Sequence, residues 1–270
     1  MSRKKHHILI RALPVYGCIS TGIIYVFIGV IAILSFLRLR EGGADETRLF
    51  ALLSHYMAGK VLIGIILSGS LCYVIWRFYE AYADPYGYGK DFSGLAKRTG
   101  ITLSTIADIM IIFSAFRFIL GMGDTEESHQ LENLREMTGK VLLMDKGSLF
   151  IISAGVVYML TAVIQLYYGT TRGYRERLEV EEFSQSKRKL VHLLGLSGYA
   201  SRGIILAITG YFYIVAGLQN DASLVVDTDK AFDFIGDNIG HLAFIVVAAG
   251  TIFYGLFMFI LGTAYDIDRD

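Results

Sequence analysis

Apolar residues in this chain run in long blocks separated by polar connectors, without the strict alternation of a half-buried strand. Six blocks reach the roughly 20 residues that a membrane-crossing helix needs. They are Val15–Leu37, Gly59–Ala81, Gly100–Gly121, Gly147–Tyr168, Gly198–Leu218 and His241–Ala264. Backbone polar groups cannot stay unpaired in lipid, so each block is expected to be a helix. The two prolines, Pro14 and Pro85, fall outside the blocks, where they can punctuate helices without breaking them. The first block has basic residues before it and Val15-Tyr16-Gly17-Cys18 at its start, which loosely resembles a lipoprotein cleavage site. The stretch before Cys18 is too short and polar for a signal core, so the block reads as an uncleaved first span.

Six spans leave both termini on one side. The segments on that side carry twice as many Lys and Arg as those on the other. Basic residues mark the cytoplasmic face, which places both termini in the cytoplasm and the chain in the cytoplasmic (inner) membrane. Short apolar clusters precede the second helix of each pair: Leu49 to Met57, Leu131 to Met137 and Phe232 to Ile235. They read as interfacial helices capping the outer face.

The blocks repeat. Gly17, Ser20, Gly22, Ile23, Ile24 and Gly29 match Gly198, Ser201, Gly203, Ile204, Ile205 and Gly210 at an offset of 181. At the same offset Gly59, Gly69, Tyr73, Phe78 and Ala83 match Gly240, Gly250, Tyr254, Phe259 and Ala264. A weaker middle copy starts its second helix with Gly139-Lys140-Val141-Leu142, against Gly59-Lys60-Val61-Leu62, and carries about six extra residues around Met144–Gly147. The fold expected is therefore all-α: six transmembrane helices in one membrane domain, as three helix-hairpin repeats over 15–84, 98–173 and 196–266. A unit of two helices keeps the same sense in the membrane, which predicts a pseudo-threefold axis along the membrane normal.

Three motifs carry a family resemblance: Ser201-Arg202-Gly203, Gly139-Lys140-Val141-Leu142-Leu143 and Trp76-Arg77-Phe78-Tyr79-Glu80-Ala81. Together they resemble the bacterial six-helix membrane family catalogued as domain of unknown function twelve-oh-six. The resemblance spans nearly the whole chain, departing at Thr21, where the motif has Arg, and in the glycine spacing of the middle copy. It implies a fold and a membrane location and brings no agreed activity.

Composition agrees with the pattern. Hydrophobic residues make up 54% and charged residues 19%, with a mean hydropathy of +0.50. Soluble domains hold about 45–50% apolar residues even with glycine counted, and about 25% charged. The formal net charge of zero offers no bulk attraction to nucleic acid. Topology divides that zero into a basic inner side and an acidic outer side.

Charges inside the blocks are the default functional candidates. They are Lys60, Arg77, Glu80, Asp108, Arg117 and Arg202. Asp108 lies roughly 12 Å along the third helix, near the midplane, with Ser104 and Thr105 on its side, a candidate polar interior. Arg77, Glu80 and Arg202 share a shallow inner depth, and Arg202 is expected to pair with Glu80 across the repeat interface. Lys60, Lys140 and His241 are expected at one equivalent outer position, a candidate basic ring. Arg117 is expected to snorkel to the outer surface. Cys18 and Cys72 should sit at different depths, which argues against a disulfide. The aromatics are expected to form an interfacial belt, and the connector Thr170–Leu196 a solvated surface helix.

No metal-binding, phosphate-loop or nucleophile-elbow motif occurs, so no catalytic residue, metal or cofactor is expected. The reading is a non-enzymatic membrane protein that binds or passes a small solute, ion or lipid group through a polar interior. The alternative is a membrane scaffold or accessory subunit with a membrane protein partner. Either way the lipid bilayer is a partner and nucleic acid is not.

Overall fold

The computed structural model describes residues 2–37, 49–50, 53–84, 87–91, 94–95, 98–102, 105, 109, 112, 116, 128–174, 178 and 183–263. Among them are the α-helices α1 (Ser2–Phe36), α2 (Met57–Ala83), α3 (Ser128–Leu142), α4 (Gly147–Thr170), α5 (Gln185–Gln219), α6 (Thr228–Phe234) and α7 (His241–Thr263). Five are long and apolar enough to cross a membrane, namely α1 from Leu13 onward, α2, α4, α5 and α7. The chain is a multi-pass, all-helical membrane protein. Most of the third expected span, Gly100–Gly121, lies outside the described residues. Pro14 is a departure from expectation, because α1 runs through it and starts at Ser2.

The helix ends follow from local chemistry. Asp84 closes α2 in the left-handed region (φ 51°), and its carboxylate accepts from the Tyr88 and Gly89 amides at 2.8 and 2.9 Å. Ser184 caps α5, and Asn220 ends it at φ 53°. Asp227 caps α6 by accepting from the Lys230 amide at 2.9 Å. A π-turn, Ile235–Ile239, then leads to Gly240, whose φ of 120° suits glycine and turns the chain into α7.

The spans pack in the order α2–α1–α7–α5–α4. Residues 98–102 touch both ends of this series. Arg98 donates to the Ala81 and Tyr82 carbonyls at the end of α2, at 2.6 and 3.0 Å. A Cβ on Gly100 would come within 3.1 Å of Ile164 on α4.

Glycine makes the seams. Between α1 and α2, Gly17 lies against Tyr73 and Gly69 against Ser20. Between α5 and α7, Gly198 lies against Tyr254 and Gly250 against Ser201. All four pairs keep the offset of 181. A second seam type joins one pair to another. A Cβ on Gly22 would stand 2.8 Å from the Gly255 carbonyl, and one on Gly29 would stand 2.6 Å from Ile252. Between α5 and α4, a Cβ on Gly203 would meet Leu166 at 2.9 Å, and one on Gly210 would meet the Gly155 carbonyl at 2.9 Å and Met159 at 3.0 Å. Adding 181 on the first helix and subtracting 93 on the second converts one seam into the other. Only a missing side chain lets helix backbones approach this closely, and lipid supplies no hydrophobic drive to substitute for the packing gained.

The core differs between its two ends. The outer half is mainly aliphatic, built on Ile24, Ile28, Ile31, Ile63 and Ile66. There the segment before α2 buries Leu49 and Phe50, and α6 buries Phe232. The inner half, so named after the Lys/Arg balance, is largely aromatic: Tyr73, Tyr174, Tyr199, Tyr254 and Phe257, with Met258 and Leu261. These tyrosines are core residues and not the expected belt. Their rings fill the volume that the glycine seams leave between helices, edge against face.

Candidate functional site

Among the described residues, two arginines, Arg77 and Arg202, are buried at the inner half, each 9% exposed. Arg202 precedes the outer end of α5, Gln219, by 17 residues, a rise of about 25 Å across a core of about 30 Å. Its guanidinium lies 5.0 Å from the centre of the Tyr25 ring and 5.1 Å from that of Tyr254. It also donates to the Tyr254 hydroxyl at 2.6 Å. Tyr25 and Tyr254 meet edge to face at 4.9 Å, and Tyr199 closes on Tyr254 at 5.3 Å. Aromatic faces attract the cation while sparing it hydration, a combination suited to an apolar setting.

Arg77 lies lower, at the inner rim of α2. Its side chain bridges to Glu80 at 3.3 Å, one helical turn on, and its guanidinium stands 5.6 Å from the Tyr73 ring. Glu80 is fully buried and also accepts from the Tyr88 hydroxyl at 3.3 Å. Arg77 of its own helix and Tyr88 of the following connector are thus among the neighbours of Glu80. Tyr254 of its own pair and Tyr25 of α1 are among those of Arg202.

Of the expected polar interior, Asp108 and Ser104 lie outside the described residues, as does Arg117. Thr105 is fully buried, and its hydroxyl donates to the Ile101 carbonyl at 2.7 Å. This back-bond is how a hydroxyl is satisfied inside a membrane helix.

The outer basic ring is not assembled as expected. Gly59 opens α2 against the Leu53 carbonyl, six residues earlier, and Gly147 opens α4 against the Val141 carbonyl, also six residues earlier. Gly147 and not Gly139 is therefore the counterpart of Gly59, and Ser148 takes the register of Lys60 and His241. Lys140 stays on α3, bridged to Glu136 at 2.7 Å. The inserted residues between α3 and α4 moved the true helix start along the chain. Lys60 is exposed at the start of α2, and His241 packs its ring 5.2 Å from Phe36.

The corrected register also exposes residues that sequence reading missed. With α2 and α4 related by 88, and α4 and α7 by 93, Arg77 corresponds to Gln165 and Met258. Glu80 corresponds to Tyr168 and Leu261. Gln165 is buried, and Tyr168 packs on Tyr199 at 5.2 Å. One inner level therefore carries a charged pair, a polar pair and an apolar pair. The constant offsets were the signal that could have found Gln165 and Tyr168. Cys18 is fully buried and Cys72 half-buried, and they form no disulfide.

Helices of span length, packed through repeated glycine seams with buried charges at one end, define a polytopic helical membrane protein with internal repetition. The chain belongs to the family described as Domain of Unknown Function (DUF1206), whose model matches it twice, over residues 16–84 and 197–264. The matches fall on the first and third expected copies, and the middle copy lies between them. The chain is also similar to a Bacillus subtilis (strain 168) protein labelled "Uncharacterized protein YxxB", 25% identical over 91% of this chain and 88% of that one. No solved structure matches the chain.

Proposed function

We propose that the protein is a non-enzymatic inner-membrane protein that binds or passes a small solute or lipid group at the inner half of its bundle. Arg202 and the Arg77–Glu80 pair are the binding groups. The observation that carries this reading is the repeat itself, which serves as an internal control. The seam around Gly17 and Tyr73 and the seam around Gly198 and Tyr254 are the same contact. Yet Arg202 stands where the first copy has Thr21, and Arg77 and Glu80 stand where the third has Met258 and Leu261. Thr21, Met258 and Leu261 are themselves buried. The packing therefore works without charge at all three positions. Charges cost free energy in a membrane interior, and a fold that packs equally well without them has another use for them. Guanidiniums resting on tyrosine faces are suited to an anionic group, which they meet with planar, forked donors.

The repeat logic supports three hairpins about one axis, with residues 98–102 beginning the helix that joins α4 to α2. A purely structural scaffold is the competing reading, and it gives no reason for the copies to differ where their contacts agree.

The test replaces each charged residue with its counterpart from the other copy: Arg77→Met, Glu80→Leu and Arg202→Thr together. Native mass spectrometry of the protein extracted in mild detergent is expected to show a small molecule retained by the wild type and absent from the triple variant, with both eluting alike from a sizing column. Equal retention of the same species by both proteins would overturn the assignment.

A further inference from the structure

The connector between α4 and α5 was expected to be a solvated surface helix. Instead it sends residues back under the bundle. Arg172 turns the chain at φ 59°, and Tyr174, two residues on, is 1% exposed. The Tyr174 ring meets Phe257 edge to face at 5.1 Å. It also occupies the space left by Gly195, where a Cβ would stand 3.0 Å from it. Its hydroxyl bonds the His192 Nδ1 at 2.9 Å. Leu178 is 3% exposed and joins the same cluster, which includes Cys18, Tyr254, Met258 and Leu261. An otherwise polar segment that buries a tyrosine and a leucine in the bundle end is doing more than spanning a gap.

The connector after α2 does something similar. In the register that relates α2 to α4, Asp84 and Arg172 are counterparts, and both turn the chain in the left-handed region. Four residues beyond Asp84, Tyr88 returns to Glu80, while Arg98 covers the last carbonyls of α2. Each of the two inner connectors thus returns a tyrosine to the end of the bundle that holds the buried charges.

We propose that Tyr174 and Leu178, returning from the connector after α4, form a plug seated in the inner mouth of the bundle. Tyr174 is its stopper and His192 its latch, and Tyr174 must leave before the Arg202 cluster can be reached from that side. The proposal rests on reading that cluster as a binding site, and it describes how access to the site is controlled.

Cys18 reports on the plug, since it lies in the cluster that the stopper closes. With Cys72→Ala as background, Cys18 is the chain's remaining cysteine. The full-length protein in lipid nanodiscs is treated with a charged methanethiosulfonate, which does not enter hydrocarbon. With Tyr174 in place, Cys18 is expected to react slowly. Tyr174→Ala should speed labelling by roughly a hundredfold, the scale on which truncating a buried aromatic opens its surroundings. Tyr174→Phe and His192→Ala keep the ring and remove the latch, and should give roughly tenfold. These two decide the matter if the alanine variant does not fold. Labelling at the wild-type rate in folded variants, or rapid labelling with Tyr174 intact, would sink the plug. Thiol reactivity is read without any ligand, so that failure would leave the binding assignment standing. Loss of the binding assignment would likewise leave the labelling result unchanged.

Discussion

Glu80 is fully buried and held by Arg77 and Tyr88, both at 3.3 Å. Replacing it alone, as Glu80→Leu, takes the carboxylate from beside the Arg77 guanidinium, whose side chain is 10% exposed. Breaking one half of a buried pair costs about 3–5 kcal/mol. Arg77 lies at the rim, where it can extend toward headgroups and water, so the lower end applies, about 3 kcal/mol. That is roughly a hundredfold in the folding constant. The double variant Arg77→Met/Glu80→Leu installs the third copy's own residues, Met258 and Leu261, and removes both charges of the pair. Exchanging a buried pair for apolar residues of similar volume is neutral or stabilising, so the double should lie within about 1 kcal/mol of the wild type. The pair would then be strongly coupled in a double-mutant cycle. Reversible unfolding in mixed micelles titrated with dodecyl sulfate reads this through Trp76, the chain's one tryptophan, which is fully buried on the same helix. A double variant as unstable as the sum of its singles would refute the reasoning, because the seam would then need its charges to pack.

The remaining predictions concern seams and the outer face. Gly198→Ala places a methyl 2.6 Å from the Tyr254 Cα and should cost about 1–3 kcal/mol. Gly64→Ala meets nothing within 4 Å and should be neutral or stabilising by up to about 1 kcal/mol; thermal unfolding of the two in the same detergent separates the cases. Asp227, outside the spans, has its carboxyl pushed above the usual 3.8 by burial, against the opposing pull of the Lys230 amide and the charges of Lys230 and Arg135. An acid whose folded-state value is raised favours the neutral form, so its penalty is absent below the unfolded value and sets in as pH rises through the folded one. Asp227→Asn keeps a capping side chain and should flatten the fall in stability over that interval, measured as melting temperature against pH. An unchanged pH profile would remove Asp227 as its source.

The spans were legible because lipid forces them. A long apolar block has no alternative to a helix, and glycine at heptad spacing has few uses beyond close packing. The repeat was legible for the same reason, since Gly17, Gly69, Gly198 and Gly250 sit where the backbones touch. The middle copy was harder. Gly139-Lys140 resembles Gly59-Lys60 in letters, but only the position of each glycine relative to the carbonyl six residues back distinguishes a helix start from a helix interior. Tyr73, Tyr199 and Tyr254 were misread because an amphipathic ring serves a belt and a core equally well, and depth alone does not choose between them. Tyr174 was hidden by its polar neighbours, since two buried residues leave little trace in a connector of charged ones.

The seam joining α1 to α7 recurs between α5 and α4. In each, a helix of the α1 and α5 kind grips one of the α7 and α4 kind, so the contact is head-to-tail and not self-complementary. Such a contact closes into a ring when its rotation divides a full turn and otherwise propagates. A chain truncated by one pair would keep an unsatisfied face at each end, and the neighbour it lacked could be supplied by a second chain. The same geometry means that no two neighbouring helices own a complete core, so co-expressed halves of the protein should find each other in the membrane more readily than either half survives alone.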